Sequence, residues 1–243
     1  MKKILPILVL SCLPLNSHAA QLDTEQQDQV RKLIHQTLVE NPSIIVEAIE
    51  VLRTQEFEKQ QLQKKAVLQH NEAALFHNSS DPFIGAKKPE LTIAYFTDYN
   101  CAFCKRQDPL LDQIIKDFPQ VRIVYKDLPI LGESSREAAT MALLAFKNNP
   151  ESYIALHNKL MSKPGKHNTQ SIEAAIKSSG IDLDKLKKGN SQEANQQLDQ
   201  NLKLAAELGI QGTPALVFSD SVIGGYTDLQ KIESMIKERL TKS

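Results

Sequence analysis

Two cysteines three positions apart carry the clearest chemistry in this chain. Cys101 and Cys104 lie in Tyr95-Phe96-Thr97-Asp98-Tyr99-Asn100-Cys101-Ala102-Phe103-Cys104-Lys105. The third cysteine, Cys12, falls in an N-terminal leader that export would remove. A pair of thiols one helical turn apart, entering an oxidising compartment, suits electron exchange with other thiols. If a strand ends just before Cys101 and a helix begins there, unpaired backbone N–H groups point at its sulfur and favour the thiolate. The thiolate is the species that attacks a disulfide. Cys104 would lie one turn deeper on the same side, where it can resolve a mixed disulfide internally. Other uses of the pair are weaker. A structural zinc site wants four ligands, and His35, His70, His77, His157 and His167 show no matching spacing. A plain structural disulfide here would close too small a loop to stabilise much.

The leader has three parts: Lys2 and Lys3, an apolar run from Ile4 to Leu15, and Ser17-His18-Ala19 with small residues at the inspected positions. The run is roughly 12 residues against about 20 for a membrane span, so cleavage after Ala19 and a soluble periplasmic chain are expected. Val9-Leu10-Ser11-Cys12 loosely resembles a lipoprotein cleavage box, but that leader would be unusually short. Losing Lys2 and Lys3 leaves 27 basic residues of 29 against 29 acids. No basic stripe suggests nucleic acid. With two thiols too close together to brace a fold, apolar burial must hold the cores.

The elements that must position the pair can be read from periodicity. Residues 21–78 read as helix, opened by a Thr24/Gln27 capping box and interrupted at Asn41-Pro42. From Ile45 a heptad series runs through Ala48, Leu52, Gln55, Lys59, Leu62, Ala66, Gln69, Ala73 and Phe76, seven of the ten being apolar. Such a helix would reach on the order of 50 Å. It is either an arm folded on its own domain or a self-association element, and its length favours the second. Asn78 to Pro82 and Gly85 to Pro89 read as linker. Leu91 to Phe96 is a buried strand running into the cysteines, Cys101 to Phe118 a helix, and Val121 to Tyr125 a second strand. Residues 132–208 are helical, Ala215 to Ile223 form a hairpin, and Asp228 to Leu240 is a last helix.

Gly212-Thr213-Pro214 precedes the hairpin, 113 residues beyond Cys101 at its proline. Together with Phe96-Thr97-Asp98-Tyr99-Asn100-Cys101-Ala102-Phe103-Cys104 and the helical segment between, it resembles the DsbA family of periplasmic thiol–disulfide oxidoreductases. The helical extension with Asn41-Pro42 is similar to the oligomeric, ScsC-like branch. The resemblance implies an α/β thioredoxin fold with an inserted all-helical domain and an N-terminal helical oligomerisation region. The expected divisions are a signal peptide over 1–19, the helical region over 20–80 and the thioredoxin domain over 81–243. It further implies Cys101 as attacking thiol, Cys104 as resolving thiol, and Thr213 with a cis Pro214 lining the substrate groove. No cofactor beyond a Cys101–Cys104 disulfide is implied, and no metal. Expected partners are unfolded or misoxidised exported proteins, a membrane redox partner of DsbB or DsbD type, and a second copy in a homodimer.

Two positions depart from the strong oxidant of that family. Phe103 stands where it has histidine, and Tyr95 where it has a buried acid. Asp98 offers a carboxylate in a Phe-Thr-Asp context similar to the isomerase DsbC; it is read as a tuner of the thiols, an exposed turn residue or a cap. Weaker thiolate stabilisation implies a more reducing couple. The function expected is formation or isomerisation of disulfides in exported proteins. A non-catalytic holdase chaperone with a vestigial cysteine pair is the alternative.

Overall fold

A computed structural model describes residues 22–241; the leader, with Cys12 and Ala19, lies outside them. The chain divides into two compact units at Glu58/Lys59.

The first unit holds helix α1 (Thr24–Glu40) and the start of α2 (Ser43–His70). The cap of α1 is one residue earlier than the sequence suggested. Asp23 accepts from the Gln26 N–H at 2.8 Å, and the Gln26 side chain accepts from the Asp23 N–H at 3.1 Å. Aspartate wins over threonine here because its charge also complements the helix N-terminus. Pro42 cannot continue the hydrogen-bond ladder of α1 and separates the two helices. Apolar side chains in this unit stay open to solvent, among them Leu33, Ile34, Ile45, Ile49 and Leu52.

In the second unit the heptad register fails. Ala66, Gln69 and Ala73 are exposed, whereas Leu68, off that series, is buried. The helix does not run through to Phe76 either. Asn71 stops α2 by donating its side-chain amide to the Val67 carbonyl at 3.0 Å, and a short α3 (Glu72–Phe76) follows. Leu68, Leu75 and Phe76 pack on one face of the sheet with Ala94, Phe96 and Val217. A buried ion pair secures the next stretch of chain. Lys126 Nζ donates to Asp81 and to the Ala74 carbonyl, and Gln197 donates to Asp81 at 2.8 Å.

The sheet has five strands in the order β1-β3-β2-β4-β5. Strand β2 (Leu91–Thr97) pairs in parallel with β3 (Val121–Asp127) and antiparallel with β4 (Ala215–Val217). Helix α4 (Ala102–Asp117) makes the crossover between β2 and β3, which have 7 residues each. Strand β5 (Val222–Gly224) closes the hairpin with β4. Strand β1 (Phe83–Gly85), antiparallel to β3, falls between the two stretches read as linker and takes in the first residue of the second. It has only three residues, following Pro82 and ending at Gly85, too few for an alternating pattern. Gly85 is needed there: its φ is 90°, and a Cβ would come 2.3 Å from the Val121 carbonyl oxygen.

Five helices connect β3 to β4: α5 (Glu133–Asn148), α6 (Pro150–Ser162), α7 (Thr169–Ser178), α8 (Leu183–Lys187) and α9 (Ser191–Glu207). Helix α10 (Leu229–Leu240) follows β5, with Asp228 as its cap. On the sheet's other face, Ile93, Tyr95, Ile123 and Tyr125 pack with Leu111, Ile114, Tyr153 and Ile236. This is a thioredoxin fold with a helical insertion. Every element that touches the cysteine pair belongs to the second unit.

Candidate active site

Strand β2 ends at Thr97, and four residues later Cys101 is the N-cap of α4. Its sulfur does the work that a serine or aspartate oxygen usually does in that place. It accepts from the Cys104 backbone N–H at 3.3 Å. The two thiols are unlinked. On its other side Cys101 Sγ is 3.3 Å from the Thr213 carbonyl oxygen, to which the protonated thiol donates. The Thr213–Pro214 bond is cis. Thus Cys101, Cys104, Thr213 and Pro214, 113 residues apart at the extremes, are brought together.

The two thiols differ in acidity. Hydrogen bonding from the Cys104 thiol, the Thr213 hydroxyl and the backbone N–H groups of Cys104 and Phe103 holds Cys101 down at about 6, against the opposing effect of burial. Burial first, and then the neighbouring Cys101 sulfur, pushes Cys104 upward. At neutral pH the outer sulfur is mostly thiolate and the inner one a neutral thiol. An attacking nucleophile and a held-back second thiol need that division.

Asp98 is neither exposed nor a cap for the cysteine helix. Its buried carboxylate accepts from the N–H groups of Asn100 at 2.7 Å, Ile130 at 2.9 Å and Leu131 at 3.1 Å. Its backbone carbonyl accepts from the Cys101 N–H at 3.0 Å. Phe103 is 53% exposed, and beside the sulfur only its backbone N–H does what a histidine ring could. Tyr95 is fully buried and donates to the Cys104 carbonyl at 3.4 Å. Burial raises its phenol well above the ordinary tyrosine range, so it stays neutral.

Sequence reasoning passed over several contributors. Asn100 donates to Ser134 Oγ at 2.9 Å and accepts from the His167 N–H at 2.7 Å, tying the cysteine loop to the insertion at two points. Asp98-x-Asn100 directly before a helix cap is the pattern that could have flagged it. Lys105 Nζ donates to the carbonyls of Lys163 and Gly165, each at 2.6 Å. Gln107 accepts from the Thr227 N–H at 2.8 Å, and the Pro214 carbonyl accepts from the Gly225 N–H at 2.8 Å. Beneath lies a buried polar group in which His157 pairs with Asp108 at 2.9 Å and with the hydroxyls of Tyr99 and Tyr153 at 3.0 and 3.2 Å. Burial pulls this histidine down, but the Asp108 carboxylate outweighs it and the net shift is upward. No signal in the sequence joins these residues, because three separate segments supply them: the loop after β2, α4 and α6. Among the described residues no group of three or more His, Cys, Asp or Glu side chains could hold a metal ion.

Residues 92–237 match the DSBA-like thioredoxin domain. The chain belongs to the DSBA-like thioredoxin family. It is a thiol–disulfide oxidoreductase whose redox group is a cysteine pair. Residues 26–66 match a second family, described as the copper resistance protein ScsC N-terminal domain. Among solved structures, Proteus mirabilis ScsC in a transitional conformation is 38% identical with a TM-score of 0.68, covering 91% of this chain and 100% of that one. The thiol-disulfide exchange protein alpha-DsbA2 from Wolbachia pipientis is 28% identical with a TM-score of 0.70, covering 74% of this chain and 97% of that one. Disulfide bond formation protein D of Bacillus subtilis (strain 168) is 26% identical over 170 residues, or 65% of this chain and 77% of that protein.

Proposed function

We propose that the family member forms and reshuffles disulfides in exported proteins, with Cys101 attacking and Cys104 resolving. The reading rests on one observation: a thiol held at about 6 caps α4 within 3.3 Å of the Thr213 carbonyl. The Cys101 thiolate attacks one sulfur of a substrate disulfide. A protein–substrate disulfide forms, and the other substrate sulfur leaves as thiolate. Cys104, on losing its proton, then displaces the substrate from Cys101 and leaves an oxidised pair. Run backwards, the same steps give a disulfide to a reduced substrate. The Thr213 carbonyl loses its thiol donor once Cys101 is a thiolate or a mixed disulfide. It is then free, beside Pro214, to pair with an extended substrate backbone.

Direction depends on assembly. An isomerase must be kept reduced, and pairing subunits through the N-terminal helices would shield the thiols from a quinone-linked partner of DsbB type. A DsbD-type reductant would then keep the pair supplied with electrons. The exposed apolar residues of α1 and α2 support a homodimer, and thus isomerase or mixed activity, in a periplasmic protein cleaved after Ala19. The scheme assigns 20–80 to association and 81–243 to exchange.

Reactivation of a scrambled-disulfide protein by the mature chain and by Cys101→Ser is the test. Loss of activity in the variant is expected. A variant that still protects unfolded chains, with a wild type that restores no native disulfides, would favour a holdase instead. Trapping the pair in cells by acid and alkylation reads the direction: mostly reduced for an isomerase, mostly oxidised for an oxidase.

A further inference from the structure

Arg106 is exposed on α4, five residues beyond Cys101, and its guanidinium has no carboxylate partner among the described residues. It is nonetheless held in place. Its central carbon stands 4.7 Å from the centre of the Tyr226 ring and 5.6 Å from that of Phe103. Both rings are themselves open to solvent, at 38% and 53%. Stacking against rings occupies the faces of a guanidinium and leaves its N–H edges free for a planar acceptor. Tyr226 is anchored beside the proline loop, since Gly225 donates to the Pro214 carbonyl and Thr227 to Gln107, each at 2.8 Å. The stacked arginine therefore belongs to the same surface as the thiolate and the cis proline.

Charge around it is mostly of one sign. Lys105 lies on the first turn of α4 with Lys163 beside it, and both donate to carbonyls of the 163–166 loop, not to acids. Asp98 and Asp108 are buried with their own partners, and Asp228 caps α10. The exposed side chains of Ile130 and Leu131 add apolar surface where Asp98 holds their backbone.

We propose that Arg106, in its Phe103–Tyr226 stack, is a docking site for a carboxylate side chain of the partner protein, close in sequence to the partner's reactive cysteine. The preferred partner segment is extended, partly apolar and acidic. This rests on the oxidoreductase reading above and names the substrate class of the same site. A bidentate ion pair at an exposed surface should change the rate by about fivefold.

Two synthetic peptides test it, each with one cysteine activated as its mixed disulfide with thiopyridine and differing only in Glu or Gln two residues away. The Cys101 thiolate attacks the peptide sulfur and pyridine thiolate leaves, so its absorbance reports the rate. With the reduced full mature chain at low salt, the Glu peptide should react about fivefold faster, and the advantage should shrink at high salt. Arg106→Gln should bring the ratio close to one, and Arg106→Lys should keep only part of it, because ammonium is a point charge without the fork. The ratio is taken within each variant, so a general change in thiol reactivity cancels. Equal rates in the wild type, or a ratio surviving in Arg106→Gln, overturn the docking site. If neither peptide outpaces its reaction with free cysteine, the oxidoreductase reading falls along with it.

Discussion

At Cys101 a sulfur caps the helix, so its charge state and its bonding cannot be separated. The thiol titrates near 6 when folded and near 9.0 otherwise. A depressed acid stabilises the reduced form: the gain is complete above about 9 and disappears as pH falls through 6. At pH 7 only about one unit of it is realised, or about 1.4 kcal/mol. Iodoacetamide should therefore alkylate Cys101 along a titration curve with its midpoint near 6, and a midpoint at the value of free cysteine would remove the proposed attacker. Phe103→His would put a cation beside the thiolate. It should lower that midpoint by about one unit and make the couple more oxidising by about 30 mV at pH 7. Equilibration with glutathione measures it, and the wild type should be more reducing than an oxidant that has histidine there. Asp98→Ala leaves three backbone N–H groups without their acceptor, so about 2 kcal/mol of stability should be lost in urea unfolding.

Elements determine whether such a sulfur can be presented at all. Strand β2 must stop at Thr97 and α4 must start at Cys101, and both ends are fixed through the insertion by Asn100 and beneath by the His157 group. At the C-terminal end of β3, level with Thr97, Asp127 is enclosed, with neither carboxylate oxygen hydrogen-bonded among the described residues. Burial raises it to about 7, with the nearby His157 pulling the other way. A raised acid contributes stability below its unfolded value, and that contribution fades as pH rises through 7. In the oxidised protein, where Cys101 no longer titrates, stability should fall by about 1.4 kcal/mol between pH 6 and 8 from this group. Asp127→Asn should flatten that slope in urea titrations, and an unchanged slope would assign the loss to another group.

This level also shows what the sequence can carry. The strand–helix–strand unit, the helical insertion and the hairpin were legible because runs such as Leu91 to Phe96 and Val121 to Tyr125 are long and apolar. Strand β1 was not, since three residues carry no period, and the heptad misled because Leu68 packs by its place over the sheet. Within the site, the cysteines and Thr213-Pro214 were legible as motifs. Asn100, Gln107 and His157 were not, because their partners Ser134, Thr227 and Asp108 stand 34, 120 and 49 residues away.

Across the whole molecule the first unit poses an energetic question of its own. Residues such as Leu33, Ile34, Ile45, Ile49 and Leu52 lie open, at 64% for Leu33 and 57% for Leu52. Covering one such side chain is worth about 1.5 to 3 kcal/mol, so an apolar stripe over two helices favours association between copies. Sedimentation of the mature chain should show an oligomer, and Leu33→Glu with Leu52→Glu should yield a monomer that keeps its exchange rate with a small disulfide. In cells the monomer should shift toward the oxidised state, because a quinone-linked partner could then reach Cys101. A wild type that sediments as a monomer would leave the stripe without this role. A monomeric variant that stays reduced would instead mean that assembly does not shield the thiols.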